Sequence, residues 1–275
     1  MSVPEHHWDA FIETMHQYEI LKNIPIKYAI EDDGKSFYKL TIKVRPKLVA
    51  DGLDEGTYDV TNVGKHLSGI EFHEQIGQEN TVVVDMRNYY ESEIGRFEGA
   101  ICPEADTFRE ELKIVTDLLE DQKDKKILLY CTGGIRCEKA SAYLKNQGFN
   151  DVNQLHGGVL EYARQIKAAN LESKFIGKNF VFDERLGESV NGQIISHCHQ
   201  CGKPCDSHTN CDNHGCHILF IQCPECAEKY HGCCSPECAH ELEIGTGKSK
   251  EERIVFGNSR KYRKSLALIK AEQEN

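Results

Sequence analysis

The sequence predicts an α/β fold, a parallel sheet with helices packed on both faces. Two observations carry that reading. From about residue 64 to 169, short apolar runs alternate with stretches of helical periodicity, the pattern of strands and crossover helices. One of the runs, Ile127 to Tyr130, ends at Cys131, and two glycines, an arginine and a helix-like stretch follow at once. Tight turns at the carboxyl ends of parallel strands are where such sheets bind their ligands.

Taken in order, Pro4 to Leu21 has the spacing of an amphipathic helix, with Trp8, Phe11, Ile12, Met15 and Tyr18 on one face. Two strand-like pieces follow, Ile24–Ile30 and Phe37–Val44, joined by the turn Glu31-Asp32-Asp33-Gly34-Lys35. One helix and two strands leave a sheet edge and an apolar face uncovered, so residues 1–47 read as part of a domain. Residues 48–63, rich in Asp and Gly, are expected to be a linker. Within the α/β domain, residues 64–170, the expected strands are Thr81–Asp85, Ile127–Tyr130 and Val152–Leu155. The expected helices are Thr107–Glu120, Glu138–Gln147 and Val159–Ala168. Residues 171–245 are expected to form a Cys-rich module, its first part, to about residue 196, a connector. Residues 246–275 are expected to form a mobile basic tail, because from Lys248 onward eight Lys/Arg stand against four Glu.

Bulk properties narrow the function classes. A chain of 275 residues can bury a proper core. Its net charge of −11 argues against indiscriminate binding of nucleic acid through a basic surface, though not against a local basic groove. No apolar stretch approaches the roughly 20 residues needed to span a membrane, and Met1-Ser2-Val3-Pro4-Glu5-His6-His7 lacks the regions of a secretory signal. A cytoplasmic protein is therefore expected. Of the 13 cysteines, ten crowd between Cys198 and Cys238, which in such a chain means metal rather than disulfides.

Cys131 stands on a turn leading into a helix N-terminus, where partial positive charge favours an anion and so a thiolate. The spacing Cys-x-x-x-x-Arg makes a six-residue loop of Cys131, Thr132, Gly133, Gly134, Ile135 and Arg136. Its carbonyls must point outward for its N–H groups to converge on the sulfur, and the two glycines tolerate the positive φ this needs. Arg136 offers a fork of donors for a bound anion, or a brace for the loop. Cysteine phosphatases use a loop one residue longer, sized for phosphate, so this one better suits a thiolate carrying one extra sulfur. Cys137 is a possible second thiol, able to resolve a persulfide, to form a disulfide with Cys131, or simply to pack.

These residues resemble the rhodanese family. Val84-Asp85-Met86-Arg87 with Glu91 and Gly95-Arg96-Phe97-Glu98-Gly99-Ala100 is similar to the family's first signature, and Leu155-His156-Gly157-Gly158 to its closing turn. Arg96 stands where the family commonly has His. Asp85, with Arg87 beside it, is expected behind the loop, bracing Arg136 or the loop itself, or else making only a local turn. More narrowly, Tyr130-Cys131-Thr132-Gly133-Gly134-Ile135-Arg136-Cys137-Glu138-Lys139-Ala140-Ser141 resembles the rhodanese-containing tRNA uridine hydroxylases. So do residues 32–37, residues 175–185 and Cys198-His199-Gln200-Cys201-Gly202. The resemblance implies a rhodanese-like domain preceded by an acylphosphatase-like (ferredoxin-like) α+β domain, of which residues 1–47 would be the second half. It also implies oxygen-dependent formation of 5-hydroxyuridine at the wobble position of tRNA anticodons, with Cys131 matching the family's proposed persulfide-forming cysteine.

In the Cys-rich module, Cys198-x-x-Cys201 and Cys223-x-x-Cys226 are two knuckles 21 residues apart, the spacing of a structural, zinc-ribbon-like tetrathiolate site. Such a site leaves no coordination position for water or oxygen. Cys205, Cys211, Cys216, Cys233, Cys234 and Cys238 can build a second site, with help from His208 or His217. Phe220, Tyr230 and the basic tail are candidate RNA contacts. No flavin, nicotinamide or haem motif is visible, and His7 and Asp9 do not share a helix face. Oxygen chemistry therefore rests on the resemblance alone. The alternatives are a sulfurtransferase passing persulfide sulfur from Cys131 to a small acceptor or to tRNA, and a module whose loop only binds an anion.

Overall fold

The computed structural model describes residues 3–24, 26, 42–45, 47 and 49–245. At its centre lies a four-stranded parallel sheet in the order β1-β5-β4-β2, built from β1 (Lys65–Leu67), β2 (Thr81–Asp85), β4 (Lys126–Tyr130) and β5 (Asp151–Leu155). The central strand β4 explains why the sequence shows an apolar run and no alternation. Ile127 and Leu129 face one cluster, with Phe108, Leu112 and Val115 of α4 (Phe108–Leu118) and Ala140 and Leu144 of α5 (Ile135–Asn146). Leu128 and Tyr130 face the other, with Phe72 of α2 (Gly69–Gln75) and Val159, Tyr162 and Ile166 of α6 (Gly158–Ala168). A strand covered on both faces needs apolar residues at every position.

The three expected strands are present, and the expected helices agree at their C-terminal ends to within a turn. Strand β1 was not anticipated: it lies at the sheet edge beside β5, and of Lys65-His66-Leu67 only Leu67 is buried, so no periodicity marks it. Helix α5 begins at Ile135 rather than Glu138, because Gly134 takes a left-handed φ of 94° and acts as its N-cap. The cysteine loop is correspondingly shorter, and Arg136 and Cys137 belong to the first helical turn.

Residues 171–181 do more than connect. Strand β6 (Phe175–Asn179) pairs antiparallel with β3 (Gly95–Phe97) and with β7 (Glu188–Ser189), and Phe175 is fully buried in the core beneath β4. Residues 49–63 are no free linker either. Val49 and Leu53 pack on the core, Asp51 is buried against Lys139 of α5 at 2.6 Å, and the rings of Tyr58 and Tyr143 meet edge-on at 5.5 Å. The polar composition that suggested a linker reflects one ion pair, Asp51–Lys139, and hydrogen bonds from Lys139 and Lys145 of α5.

At the N-terminus, the expected helix is α1 (Trp8–His16) flanked by short 3-10 turns at Glu5–His7 and Glu19–Leu21; Trp8, Phe11, Ile12 and Met15 are half-buried and Tyr18 is exposed. Most of the expected strands Ile24–Ile30 and Phe37–Val44, and the tail 246–275, lie outside the described residues; Ile24, Ile26 and Ile42–Val44 carry no strand. Among the described residues no helix is long and apolar enough to cross a membrane.

The Cys-rich module contains the hairpin β8 (His208–Asn210) and β9 (Leu219–Ile221), then α7 (Pro224–Lys229) and α8 (Pro236–Glu243). It packs on α3 (Tyr89–Ile94), whose Tyr90 and Ile94 share a cluster with Cys198, Cys223 and Ile221.

Candidate active site

Strand β4 delivers Cys131 to the carboxyl edge of the sheet, and the next residues turn so that their amides face inward. The Gly134 N–H donates to the Cys131 sulfur at 3.1 Å. The loop's carbonyls point away as that geometry requires: Cys131 O accepts from Val159 N at 3.0 Å and Thr132 O from Leu160 N at 3.3 Å. Those donors are the otherwise unpaired first amides of α6. Gly158, at φ 68°, lets α6 approach, since a Cβ there would strike the carbonyls of Cys131 and Thr132. The closing turn seen in the sequence thus holds the cysteine loop open around its sulfur.

The thiol is set for ionisation, its pKa brought down to about 5. The Cys137 thiol, hydrogen-bonded to Cys131, contributes most; burial opposes, and the Arg136 charge and the Cys137 and Arg136 amides add to the lowering. Cys137 is fully buried, and burial together with that same hydrogen bond pushes its own pKa up. The pair therefore divides into a thiolate and a thiol that donates to it.

Arg136 braces the loop and is not free for an anion. Its Nη1 and Nη2 reach Glu91 Oε1 and Oε2 at 2.6 and 2.8 Å, and Thr132 Oγ1 donates to Glu91 Oε2 at 3.2 Å. Glu91, fully buried, also accepts from the Asn88 N–H at the start of α3. Of the two readings of Asp85, the local turn holds and the brace on Arg136 does not: the Arg87 N–H donates to Asp85 Oδ1 at 3.0 Å. Asp85 takes Arg87 on both oxygens, at 2.8 and 2.7 Å, and the Tyr130 hydroxyl at 2.7 Å. Arg87, wholly buried, also reaches Gly95 O at 2.6 Å and lies over the rings of Tyr130 and Phe175. A strand-end Asp followed two residues later by Arg closes its own ion pair, so this pair ties β2 to the β3–β6 sheet beneath the loop.

A residue the sequence did not single out lies close to this group. Glu111 of α4 is fully buried, and neither carboxylate oxygen has a hydrogen-bond partner among the described residues. Burial raises its pKa well above the ordinary carboxylate range, opposed by the Arg136 charge and reinforced by Asp85, Glu91 and Cys131. A neutral acid thus sits among the charges of the site. Its only sequence signal was a charged residue on the apolar side of a helical repeat. Between the unfolded pKa of about 4.3 and the raised folded value, the folded chain holds the extra proton, so wild-type stability falls as pH rises. Replacing Glu111 with Gln should remove that slope: the variant's advantage grows by about 1.4 kcal/mol per pH unit across the window. Denaturant melts at pH 4, 6 and 8 check this, and parallel curves would refute it.

Above the loop opens a cleft of about 600 Å³ lined by Cys131, Thr132, Gly133, Ile135 and Arg136, with Val49, Ala50, Asp106 and Phe182 among its other walls. Phe182 is 59% exposed, held edge-on by Phe180 at 5.2 Å. The strap at Val49 and Ala50 was hidden in the supposed linker.

In the module the cysteines form two groups. Cys198, Cys201, Cys223 and Cys226 bring their sulfurs within 4.8 Å of one another, as do Cys211, Cys216, Cys234 and Cys238. Either group could hold a metal ion. Cys205 and Cys233, and His208 and His217, fall outside the second group, which the sequence could not resolve because their spacing alone does not separate them. Phe220 is buried in the core around Cys211 and Cys234, so it cannot contact RNA; Tyr230 is half-buried.

Residues 69–165 match the Rhodanese-like domain family, and residues 176–239 the Rhodanase C-terminal family. A protein of Leptospira interrogans serogroup Icterohaemorrhagiae serovar Lai (strain 56601), named tRNA uridine(34) hydroxylase, is 56% identical over 253 residues, 92% of this chain and 69% of that protein. Proteins of the same name from Salmonella newport (strain SL254) and Pectobacterium carotovorum subsp. carotovorum (strain PC1) are 51% and 50% identical, covering 89% and 98% of this chain and 70% and 77% of theirs.

Proposed function

This chain belongs to the tRNA uridine(34) hydroxylase family, and on that premise we propose that it converts the wobble uridine of tRNA to 5-hydroxyuridine with Cys131 as its reactive thiolate. The observation that carries the role of Cys131 is its place at the carboxyl end of β4, on the wall of an open cleft, with the Gly134 N–H aimed at its sulfur at 3.1 Å and its pKa brought down to about 5. Molecular oxygen is the co-substrate in this reading. Placing one oxygen atom at C5–H of uracil leaves the other to become water, which takes two electrons and two protons. A thiolate and a thiol release both electrons and one of the protons on closing a disulfide, the second proton coming from solvent, and Cys131 with Cys137 is the hydrogen-bonded pair at this site. Cellular thiols would then restore the reduced pair, and Cys131 could carry a persulfide in the same cradle. The protein acts in the cytoplasm, on the anticodon loop.

An unstacked anticodon base entering the cleft would meet Phe182, whose exposed face suits base stacking. Stacking on an aromatic contributes about 1–3 kcal/mol per base. Replacing Phe182 with Ala should therefore raise KM for tRNA by about 5- to 150-fold with kcat little changed. Steady-state kinetics check this; an unchanged KM sinks it.

Zinc at Cys198, Cys201, Cys223 and Cys226 is the structural metal, since four thiolates close a tetrahedral sphere. The module's own apolar residues are too few to hold a two-stranded hairpin and two short helices.

The deciding experiment incubates the reduced protein with tRNA lacking the modification under isotopically heavy oxygen gas. Accurate mass of nucleoside 34 should show one added heavy oxygen. Sulfur in place of an oxygen would identify a sulfurtransferase instead, and oxygen drawn from water would overturn oxygen dependence.

A further inference from the structure

Along the chain the two cysteine groups interleave. Cys198 and Cys201 precede β8, Cys211 and Cys216 lie between β8 and β9, Cys223 and Cys226 enter α7, and Cys234 and Cys238 enter α8. The first and third pairs converge, and so do the second and fourth. The geometry points to a second tetrathiolate zinc site at Cys211, Cys216, Cys234 and Cys238, interleaved with the first along the chain. This rests on the reading of the first group as a zinc site.

Three observations support it. A tetrahedral zinc with Zn–S bonds of about 2.3 Å sets its sulfurs about 3.8 Å apart. The sulfurs of Cys216 and Cys234 are 3.7 Å apart, and those of Cys234 and Cys238 3.6 Å. In the first group Cys201 and Cys223 stand at 3.6 Å. These spacings are far longer than a disulfide's roughly 2.05 Å, and Cys234 makes two of them.

The two groups also repeat one backbone device. Cys223 N donates to Cys198 Sγ at 3.4 Å, and Cys234 N donates to Cys211 Sγ at 3.4 Å. In each, the first cysteine of the later pair offers its amide to the first sulfur of the earlier pair. Amides aimed at sulfur stabilise bound thiolates from outside the coordination sphere.

Third, the second group is the core of its half. The buried cluster there is Cys211, Cys216, Phe220, Cys233, Cys234 and Ala239, with one large apolar side chain among them. Four buried or half-buried thiols make a poor hydrophobic core, whereas four metal-bound thiolates make a strong staple.

Native mass spectrometry of the full chain, purified reduced and without chelator, should find two zinc ions. Zinc-edge X-ray absorption of the same sample should give a shell of sulfur alone at about 2.3 Å. The double variant Cys211→Ser/Cys216→Ser should retain one. A single zinc in the wild type that persists in this variant and vanishes in Cys198→Ser/Cys201→Ser would overturn the second site and leave the first standing. No zinc at all would overturn both. A disulfide within the second group, iron in place of zinc, or a nitrogen ligand in the absorption shell would also overturn the proposal, and each is read on the wild-type chain whether or not the variants fold.

Discussion

Replacing Glu91 with glutamine should unfasten the Cys131 loop and cost about 3–5 kcal/mol of stability, as breaking one partner of a buried ion pair does. The fully buried Glu91 carboxylate accepts four hydrogen bonds, from the Asn88 amide, the Thr132 hydroxyl and both Arg136 nitrogens. A glutamine can accept at one oxygen only, and its NH2 would face a guanidinium NH2, donor against donor. Arg136 would be left largely buried without its counter-charge, and the amide cradle would lose its brace. The midpoint of Cys131 alkylation against pH, expected at about 5 in the wild type, should then move toward the roughly 8.5 of a free thiol. A double-mutant cycle with Arg136→Lys separates the pair from general damage. A coupling energy near zero, or an unmoved alkylation midpoint, would show that α3 does not hold the loop.

The second large effect is at the sulfur itself. Cys131→Ser keeps the side chain's shape and leaves the amides a partner, yet a serine hydroxyl stays protonated where the thiol ionises. Removing an activated nucleophile commonly costs a thousandfold or more in kcat, so hydroxylation should be abolished at about that level. Binding of tRNA and the melting temperature should change little. Turnover within tenfold of wild type would remove Cys131 from the chemistry. Cys137→Ser serves as the contrast: it keeps a hydrogen-bond donor beside Cys131, so the thiol should still alkylate at low pH, but it cannot close the disulfide and turnover should fall unless an added thiol takes its place.

Much of this architecture was legible in the chain. Residues whose role is local announce themselves locally. The apolar run ending at Cys131, the glycines behind it and the Cys-x-x-Cys knuckles are short patterns with direct physical meaning. Sites assembled from distant elements were not legible. Glu91 lies 45 residues before Arg136, and the sequence pointed to Asp85 as its partner instead. Only the turn after β2 decides between them, by closing Asp85 on Arg87 and swinging α3 toward the loop. Val49 and Ala50 looked like linker because the segment around them is polar, and its ion pair to α5 is long-range. In the module, ten cysteines within 41 residues allow many groupings, and the β8–β9 hairpin alone selects which four meet.

What the sequence by itself determined was a thiol at a strand end with a loop too tight for any arrangement but one that surrounds the sulfur. Backbone sterics and the unpaired amides of a helix start are enough for that. The tertiary structure decided how the thiol is kept ionised and what stands over it. The Cys137 donor, the Glu91 clamp on Arg136, the unpaired acid Glu111 and the Phe182 wall arise only when helices and straps from separate parts of the chain converge. Electrostatics at a buried site falls off over a few ångströms of space, not of sequence.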